Sequence, residues 1–392
     1  MEEMIVSKVV ISDAVQYIGA NDHKIDLFES QYKVPNGVSY NSYAILDEKI
    51  AIMDTVDWRV TEEWFHNLEV VLDGKEPDYL IVSHLEPDHA SNIKNFLEKY
   101  PNVKLVGNGK TFSMLPQFFD LSLSDEQKIV VKENNQLNLG EHTLVFFMAP
   151  MVHWPEVMVT YEQKEKILFS ADGFGKFGAL DVEEDWADEA RRYYFNICGK
   201  YGMPVQTLLK KASTLDVQMI CPLHGPVLKE NLGYYIGLYD TWSKYLPEEK
   251  GILVAYASIH GNTAKVAKEV AKMLEEAGEK NVVVADLSRS DMSNVISMAF
   301  RYDRMIVAAP TYDGGLFPVA YDFLHHLSIK FYQNRTVGLI ENGSWGPMAA
   351  KKMKEILEPM KNVTILDPVV TIKSSMKESD KDTMELLVKN MV

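Results

Sequence analysis

The sequence predicts an α/β protein in two parts, a strand-rich sandwich over residues 1–249 and a doubly wound parallel sheet over residues 250–392. Three observations carry this expectation. A chain of 392 residues with 46% hydrophobic content can fill two cores, at about 100 to 200 residues per domain. In the first part, short apolar runs of strand type repeatedly close on a histidine or an aspartate. From Gly251 onward, apolar strand runs and helical stretches alternate strictly, the pattern of parallel strands joined by crossover helices.

Taken in order, residues 5–20 alternate weakly, and then Ser39 to Leu46 and Ile50 to Asp54 flank the turn Asp47-Glu48-Lys49 as a β-hairpin. A helical stretch from Thr61 to Leu72 leads to Tyr79-Leu80-Ile81-Val82-Ser83, an apolar run suited to a buried strand. Next comes His84-Leu85-Glu86-Pro87-Asp88-His89, and from His89 to Tyr100 the apolar residues take helical spacing. The six residues therefore lie on a strand-to-helix loop. Pro87, with a fixed φ and no amide hydrogen, stiffens that loop around Glu86 and Asp88. Val103 to Gly107 reads as the following strand, and residues 121–160 are rich in strand patterns. Leu144 to Ala149 enters the loop Pro150 to Pro155, which carries His153. The hairpin Val157 to Phe169, turning at Glu162 to Glu165, ends beside Asp172. After an aromatic-rich helical region at 185–213, Val217 to Pro222 runs into His224.

Singly, each of these residues has a plainer reading: a surface histidine, a helix N-cap at Asp88, or a core histidine satisfied by hydrogen bonds. Strand ends that close with His or Asp four times over are what a metal site on the rim of a β-sandwich requires. His84, Glu86 and His153 can serve one metal and Asp88, His89 and His224 a second, with Asp172 able to bridge them. Imidazole and carboxylate donors without thiolate suit iron, manganese or zinc, and the ligand types leave all three open. Cys198 and Cys221 stand far apart with no C-x-x-C pair, so no disulfide scaffold, cysteine zinc site or iron–sulfur cluster is readable.

A formal charge of −16 with no basic stretch argues against nucleic-acid and anionic-membrane partners. The start Met1-Glu2-Glu3-Met4 lacks the basic and apolar segments of a leader, and no run approaches the roughly 18 apolar residues of a membrane helix. A cytoplasmic protein is the expectation.

In the second part, Ile252 to Tyr256 is the first strand, Ala264 to Ala277 a helix and Val282 to Ala285 the next strand. The intervening loop Ser258-Ile259-His260-Gly261-Asn262-Thr263 offers hydroxyls and backbone amides at a helix N-terminus, a setting that binds phosphate. Taken alone, the loop could equally be an N-capped helix after a tight turn. Two more loops sit at strand C-terminal ends: Pro310-Thr311-Tyr312-Asp313-Gly314-Gly315 after Met305 to Ala309, and Glu341-Asn342-Gly343-Ser344-Trp345-Gly346 after Thr336 to Ile340. A doubly wound sheet binds its ligand at such ends. The glycines would let backbone approach a flat ring, on which Tyr312 or Trp345 could stack. No G-x-G-x-x-G turn is present, so FMN is a better candidate than FAD or NAD.

The ordered set His84-x-Glu86-x-Asp88-His89, His153, Asp172 and His224 resembles the metallo-β-lactamase-like domain of flavodiiron proteins, also called A-type flavoproteins. Residues 250–392 look like a flavodoxin, so the resemblance covers essentially the whole chain. It implies an N-terminal αββα sandwich and a C-terminal flavodoxin-like sheet. Zinc hydrolases of the superfamily carry histidine where this chain has Glu86, and by resemblance the glutamate marks the iron-binding branch. The family assigns His84, Glu86, His153 and bridging Asp172 to one iron, and Asp88, Asp172 and His224 to the other; members differ in whether the counterpart of His89 ligates. The resemblance also implies FMN, two iron ions per chain, and reduction of dioxygen to water or of nitric oxide to nitrous oxide. Electrons would come from a separate donor, a rubredoxin or reduced coenzyme F420. Assembly would be a head-to-tail homodimer, or a dimer of such dimers, in which one subunit's flavin serves the other's iron. A zinc hydrolase carrying a flavodoxin domain is the alternative, and it leaves both the flavin and Glu86 without a role.

Overall fold

The computed structural model describes residues 9–392; Met1 to Met4 and the start of the weakly alternating stretch, residues 5–8, lie outside the described residues. The chain divides into two compact units, one running to Tyr194 and including Met203–Tyr239, the other made of Phe195–Gly202 and Asp240–Val392.

The first unit holds a six-stranded sheet in the order Val15–Tyr17, Tyr43–Ile45, Ala51–Met53, Tyr79–Ile81, Lys104–Asn108, Lys128–Val131. A five-stranded sheet runs Gln136–Asn138, Thr143–Met148, Met158–Glu162, Ile167–Phe169, Met219–Cys221. One apolar cluster joins their facing sides, with Val15, Tyr43, Ile81 and Val106 from the first sheet and Leu144, Phe146, Met158 and Phe169 from the second. The helix Thr61–Leu72 buries Trp64, Leu68 and Leu72, residues four apart that form one stripe. Trp64 meets Phe96 of the helix Ile93–Lys99 at 5.8 Å between ring centroids. The result is the expected sandwich of two sheets with outer helices.

Two local readings are corrected. The run Ser39 to Leu46 is not one strand: Val38–Tyr40 pairs with Ala20–Asp22, while Tyr43–Ile45 pairs with Ala51–Met53. The break falls at Asn41, whose side-chain Nδ2 donates to the Pro222 and Gly225 carbonyls at 2.8 Å each, tying this segment to the His224 loop instead of to a ladder. The helix expected from His89 begins earlier and is interrupted. Pro87–Ala90 forms one turn with Glu86 as its N-cap, and Ile93–Lys99 follows after a break at Ser91 and Asn92. Pro87 occupies the first helical position, where its missing N–H costs nothing, so Asp88 lies inside the first turn.

The second unit is a parallel sheet in the order Val282–Asp286, Glu249–Tyr256, Tyr302–Tyr312, Arg335–Asn342, Val363–Ile365. This 2-1-3-4-5 order is the flavodoxin-like arrangement. Strict alternation fails at the end, because Val370–Ile372 also pairs with Arg335–Asn342 and no helix separates it from Val363–Ile365. Pro368 lies in the gap and cannot donate to a ladder, so the edge strand is broken in two.

Candidate functional site

Each expected metal ligand sits where a strand of the sandwich ends. His84, Glu86, Asp88 and His89 follow Tyr79–Ile81, His153 follows Thr143–Met148, Asp172 follows Ile167–Phe169, and His224 follows Met219–Cys221. The fold brings all seven together as two groups, His84, Glu86, His153 and Asp172 in one and Asp88, His89 and His224 in the other. Within each group the candidate ligand atoms lie within 4.8 Å of one another. His153 Nε2 is 2.9 Å from both Glu86 Oε2 and Asp172 Oδ2, and His84 Nε2 is 3.3 Å from Asp172 Oδ2. In the second group His224 Nε2 is 3.2 Å from Asp88 Oδ2.

The donor chemistry fits metal ions. His224 Nδ1 donates to the Ser39 carbonyl at 2.8 Å and His89 Nδ1 faces the Thr55 carbonyl at 3.4 Å, so in the neutral rings both Nε2 atoms present lone pairs. Those two Nε2 atoms lie only 3.1 Å apart. Facing lone pairs repel unless a cation lies between them, and the spacing suits neighbouring donors each about 2 Å from one ion. The buried Asp88 carboxylate, both ring nitrogens of His84 and Asp172 Oδ1 make no hydrogen bond of good geometry. Unsatisfied buried polar atoms in such number call for an ion.

The charges of the two groups distribute unevenly. Burial opposes ionisation of Glu86, but hydrogen bonds from His153 and His84 hold it down at about 2. Asp88, fully enclosed and facing the charge of Glu86, is pushed up to about 6. Burial and the neighbouring His224 push His89 well below the usual imidazole range, which favours the neutral, ligating form. Aromatic rings wall the second group: Phe28, Tyr40 and Tyr193 lie 5.5, 5.8 and 5.5 Å from the His224 ring. These walls were not foreseen, since Phe28 belongs to a two-residue strand with no readable period. Glu29 beside it was also missed. Although the residue is exposed as a whole, burial of its carboxyl and the charge of Glu86 push it up to about 7.

In the second unit a cavity of about 500 Å³ is lined by all three expected loops, through Ser258, Ile259, His260, Asn262, Thr263, Pro310, Thr311, Tyr312, Asp313, Gly314, Asn342, Gly343, Ser344, Trp345 and Gly346. Its size falls in the range of ordinary ligand sites. The helix Asn262–Glu276 points its N-terminus here, and no side chain caps its first amides, which leaves them for an anion. Gly261 and Gly315 do not line the cavity. Gly261 instead supplies a φ of 88° with nothing within 4 Å of where a Cβ would stand, so backbone conformation, not crowding, requires glycine there. The second loop is tighter than expected: Thr311 and Tyr312 pair with Leu316 and Gly315 in a hairpin. Trp345 is 96% exposed and Tyr312 is 45% exposed, leaving aromatic faces free at the rim.

A fourth segment completes the cavity and escaped sequence reading. Ser374 lines it with a φ of 65°, and Asn342 clamps that residue by donating to its carbonyl at 2.8 Å and accepting from its amide at 3.0 Å. The same Asn342 amide lies 3.3 Å from Thr263 Oγ1, linking the first, third and fourth segments.

A sandwich rim of clustered histidine and carboxylate donors, joined in one chain to a flavodoxin-type sheet, is the layout of a two-cofactor redox protein. Residues 38–225 match the ODP family beta lactamase and residues 254–385 match flavodoxin. The nitric oxide reductase of Moorella thermoacetica is 31% identical over 379 residues, covering 93% of each chain. The anaerobic nitric oxide reductase flavorubredoxin of Aliivibrio salmonicida is 28% identical over 355 residues, covering 88% of this chain and 70% of that one. The solved rubredoxin oxygen:oxidoreductase of Desulfovibrio gigas superposes with a TM-score of 0.90 at 25% identity, covering 97% of each chain. This chain belongs to the flavodiiron protein family. It is an oxidoreductase whose cofactors are FMN and a non-haem pair of irons. Among the described residues, no helix is long and apolar enough to cross a membrane.

Proposed function

We propose that this chain reduces dioxygen to water, nitric oxide to nitrous oxide, or both, with electrons arriving through FMN from a separate donor. In this reading residues 1–249 hold the irons through His84, Glu86, His153 and Asp172 and through Asp88, His89 and His224. Residues 250–392 hold FMN through the loops 258–263, 310–315 and 342–346. The observation that carries the reading is the pair of adjoining ligand groups without thiolate, with Glu86 in the first and the Asp172 carboxylate close to two of its histidines. When bound, the irons supply a centre that takes up and reduces a diatomic molecule, and FMN accepts electrons in pairs and releases them singly.

The protein's own residues prepare that chemistry. The Ser39 carbonyl fixes the His224 tautomer, keeping Nε2 turned toward the group. The rings of Phe28, Tyr40 and Tyr193 limit water beside His224. The uncapped amides of the helix Asn262–Glu276 favour a phosphate, and Thr263 adds a hydroxyl.

Both substrates stay in the reading because the Moorella relative is named for nitric oxide and the Desulfovibrio structure for oxygen. The donor would be a rubredoxin or reduced coenzyme F420, the setting cytoplasmic, and the assembly a head-to-tail homodimer or a dimer of dimers. The direct test is turnover with a chemically reduced donor, prepared without oxygen and then mixed with dioxygen or with nitric oxide in separate assays that follow consumption of each. Consumption of at least one, tied to both iron and flavin content, is expected. Inactivity toward both in fully loaded protein, or hydrolase activity with zinc, would overturn the reading. The dimer is tested by co-expressing a chain broken at Glu86 and His153 with one broken at Gly261 and Thr263. Activity should return only in the heterodimer, and a dead heterodimer with its remaining sites filled would refute transfer between subunits.

A further inference from the structure

Glu156 lies three residues beyond His153 and is 1% exposed, yet nothing above gives it a role. Its Oε1 accepts a hydrogen bond from the Leu85 amide at 2.8 Å. Leu85 stands between His84 and Glu86, so this one bond fixes the backbone from which two ligands project. Its Oε2 is buried with no hydrogen-bond partner.

The loop that carries Glu156 is itself anchored. Asn108 donates its side-chain amide to the Glu156 carbonyl and, through its own oxygen, accepts from the amides of Lys110 and Thr111. The Val157 carbonyl accepts from the Ala149 amide at 2.8 Å, closing the base of the loop around His153. The Met158 amide donates to the Ser83 carbonyl at 3.0 Å. The two loops are thus stitched on either side of His84, at Ser83 by backbone and at Leu85 by the Glu156 side chain. Just beyond the stitch at Leu85, His153 Nε2 and Glu86 Oε2 come within 2.9 Å, though they belong to different loops.

We infer that Glu156 is a positioning residue, which holds the His84–Glu86 turn against the His153 loop so that the first ligand group keeps its spacing. The inference rests on the metal reading above. The property of the side chain that matters is the reach of an acceptor oxygen to the Leu85 amide, not the negative charge. Glutamine keeps that oxygen at the same reach and loses the charge. Aspartate keeps the charge and, one methylene shorter, withdraws the oxygen.

The test is iron release from the full-length, flavin-loaded protein into excess chelator, with flavin occupancy as the control for the second unit. Glu156→Asp and Glu156→Ala should bind iron about 10- to 100-fold more weakly, the cost usual for losing an outer partner of a metal ligand. Glu156→Gln should stay within about threefold of the parent protein, well short of that range. If the alanine variant does not fold, the order of aspartate and glutamine decides the matter. Aspartate holding iron as the parent does while glutamine releases it would make charge the operative property and overturn the inference. Equal retention in all variants would also overturn it while leaving the metal reading intact. A parent chain that holds no iron would bring down the metal reading and this inference together.

Discussion

At the sandwich rim, seven candidate ligands converge from four strand ends, with His84 and Asp172 almost wholly buried. In the cleft of the second unit, the walls are largely glycine and small polar residues, and the largest aromatic, Trp345, is 96% exposed. Both sites use the ends of strands, but the rim holds its geometry by burial and side-chain hydrogen bonds, whereas the cleft depends on backbone amides and turn conformations. The rim should therefore respond steeply to changes in donor chemistry and the cleft to changes in backbone freedom.

The largest effect is expected at the rim. Asp172→Asn should cost at least about 100-fold in turnover, beyond the usual loss of an outer ligand partner. Flavin occupancy and far-ultraviolet circular dichroism should be unchanged. Full turnover with intact iron would remove Asp172 from the site.

In the cleft, Thr263→Ala should lower FMN affinity at least about tenfold, since a hydrogen bond to a charged group contributes about 1.5–3 kcal/mol. Fluorescence titration of the flavin-free protein measures it, and unchanged affinity would disconnect the loop 258–263 from the phosphate. Gly261→Ala sharpens the contrast, because the new Cβ meets open space and only the φ of 88° resists it. The left-handed conformation costs a non-glycine residue about 1–2 kcal/mol, roughly five- to thirtyfold in affinity. An alanine variant that binds FMN normally would show that the loop can re-form without glycine.

The smallest expected effect lies in the sandwich behind the rim. Asp47, in the turn between Tyr43–Ile45 and Ala51–Met53, accepts from both the backbone and the ring of His142, at 2.7 Å each, beside the second sheet. Burial opposes its ionisation, but these hydrogen bonds hold it down at about 2. A lowered carboxylate pKa adds stability above the ordinary value near 3.8 that is lost as pH falls toward 2. Asp47→Asn should thus destabilise the protein by about 1–2 kcal/mol near neutral pH. Denaturant titrations should show that difference shrinking between pH 4 and pH 2; a constant difference would contradict the assignment.

The contrast also explains what could be read from the chain. The seven rim residues were legible because ligand chemistry is written in residue type, and because His84, His153, Asp172 and His224 each follow an apolar strand run. Their supports were not. Asn41 reaches across 181 residues to the Pro222 carbonyl and Glu156 across 71 to the Leu85 amide, and no local pattern encodes such contacts. In the cleft, three loops were legible from their position after parallel strands. Ser374 was missed because the edge strand before it is split around Pro368, which hid the fourth strand end. The helical turn that holds Asp88 was placed too late for a different reason: Pro87 was taken to stiffen a loop, yet at the first helical position it starts a helix.

The central claim is that one chain carries a diiron rim and an FMN cleft. The most direct test is metal and flavin analysis of the protein purified without oxygen, together with its visible spectrum. Two irons and one FMN per chain, with iron lost from the Glu86 and His153 variants and flavin lost from the Thr263 variant, is the result expected. Zinc in place of iron, or a chain without a flavin band after reconstitution with FMN, would contradict it.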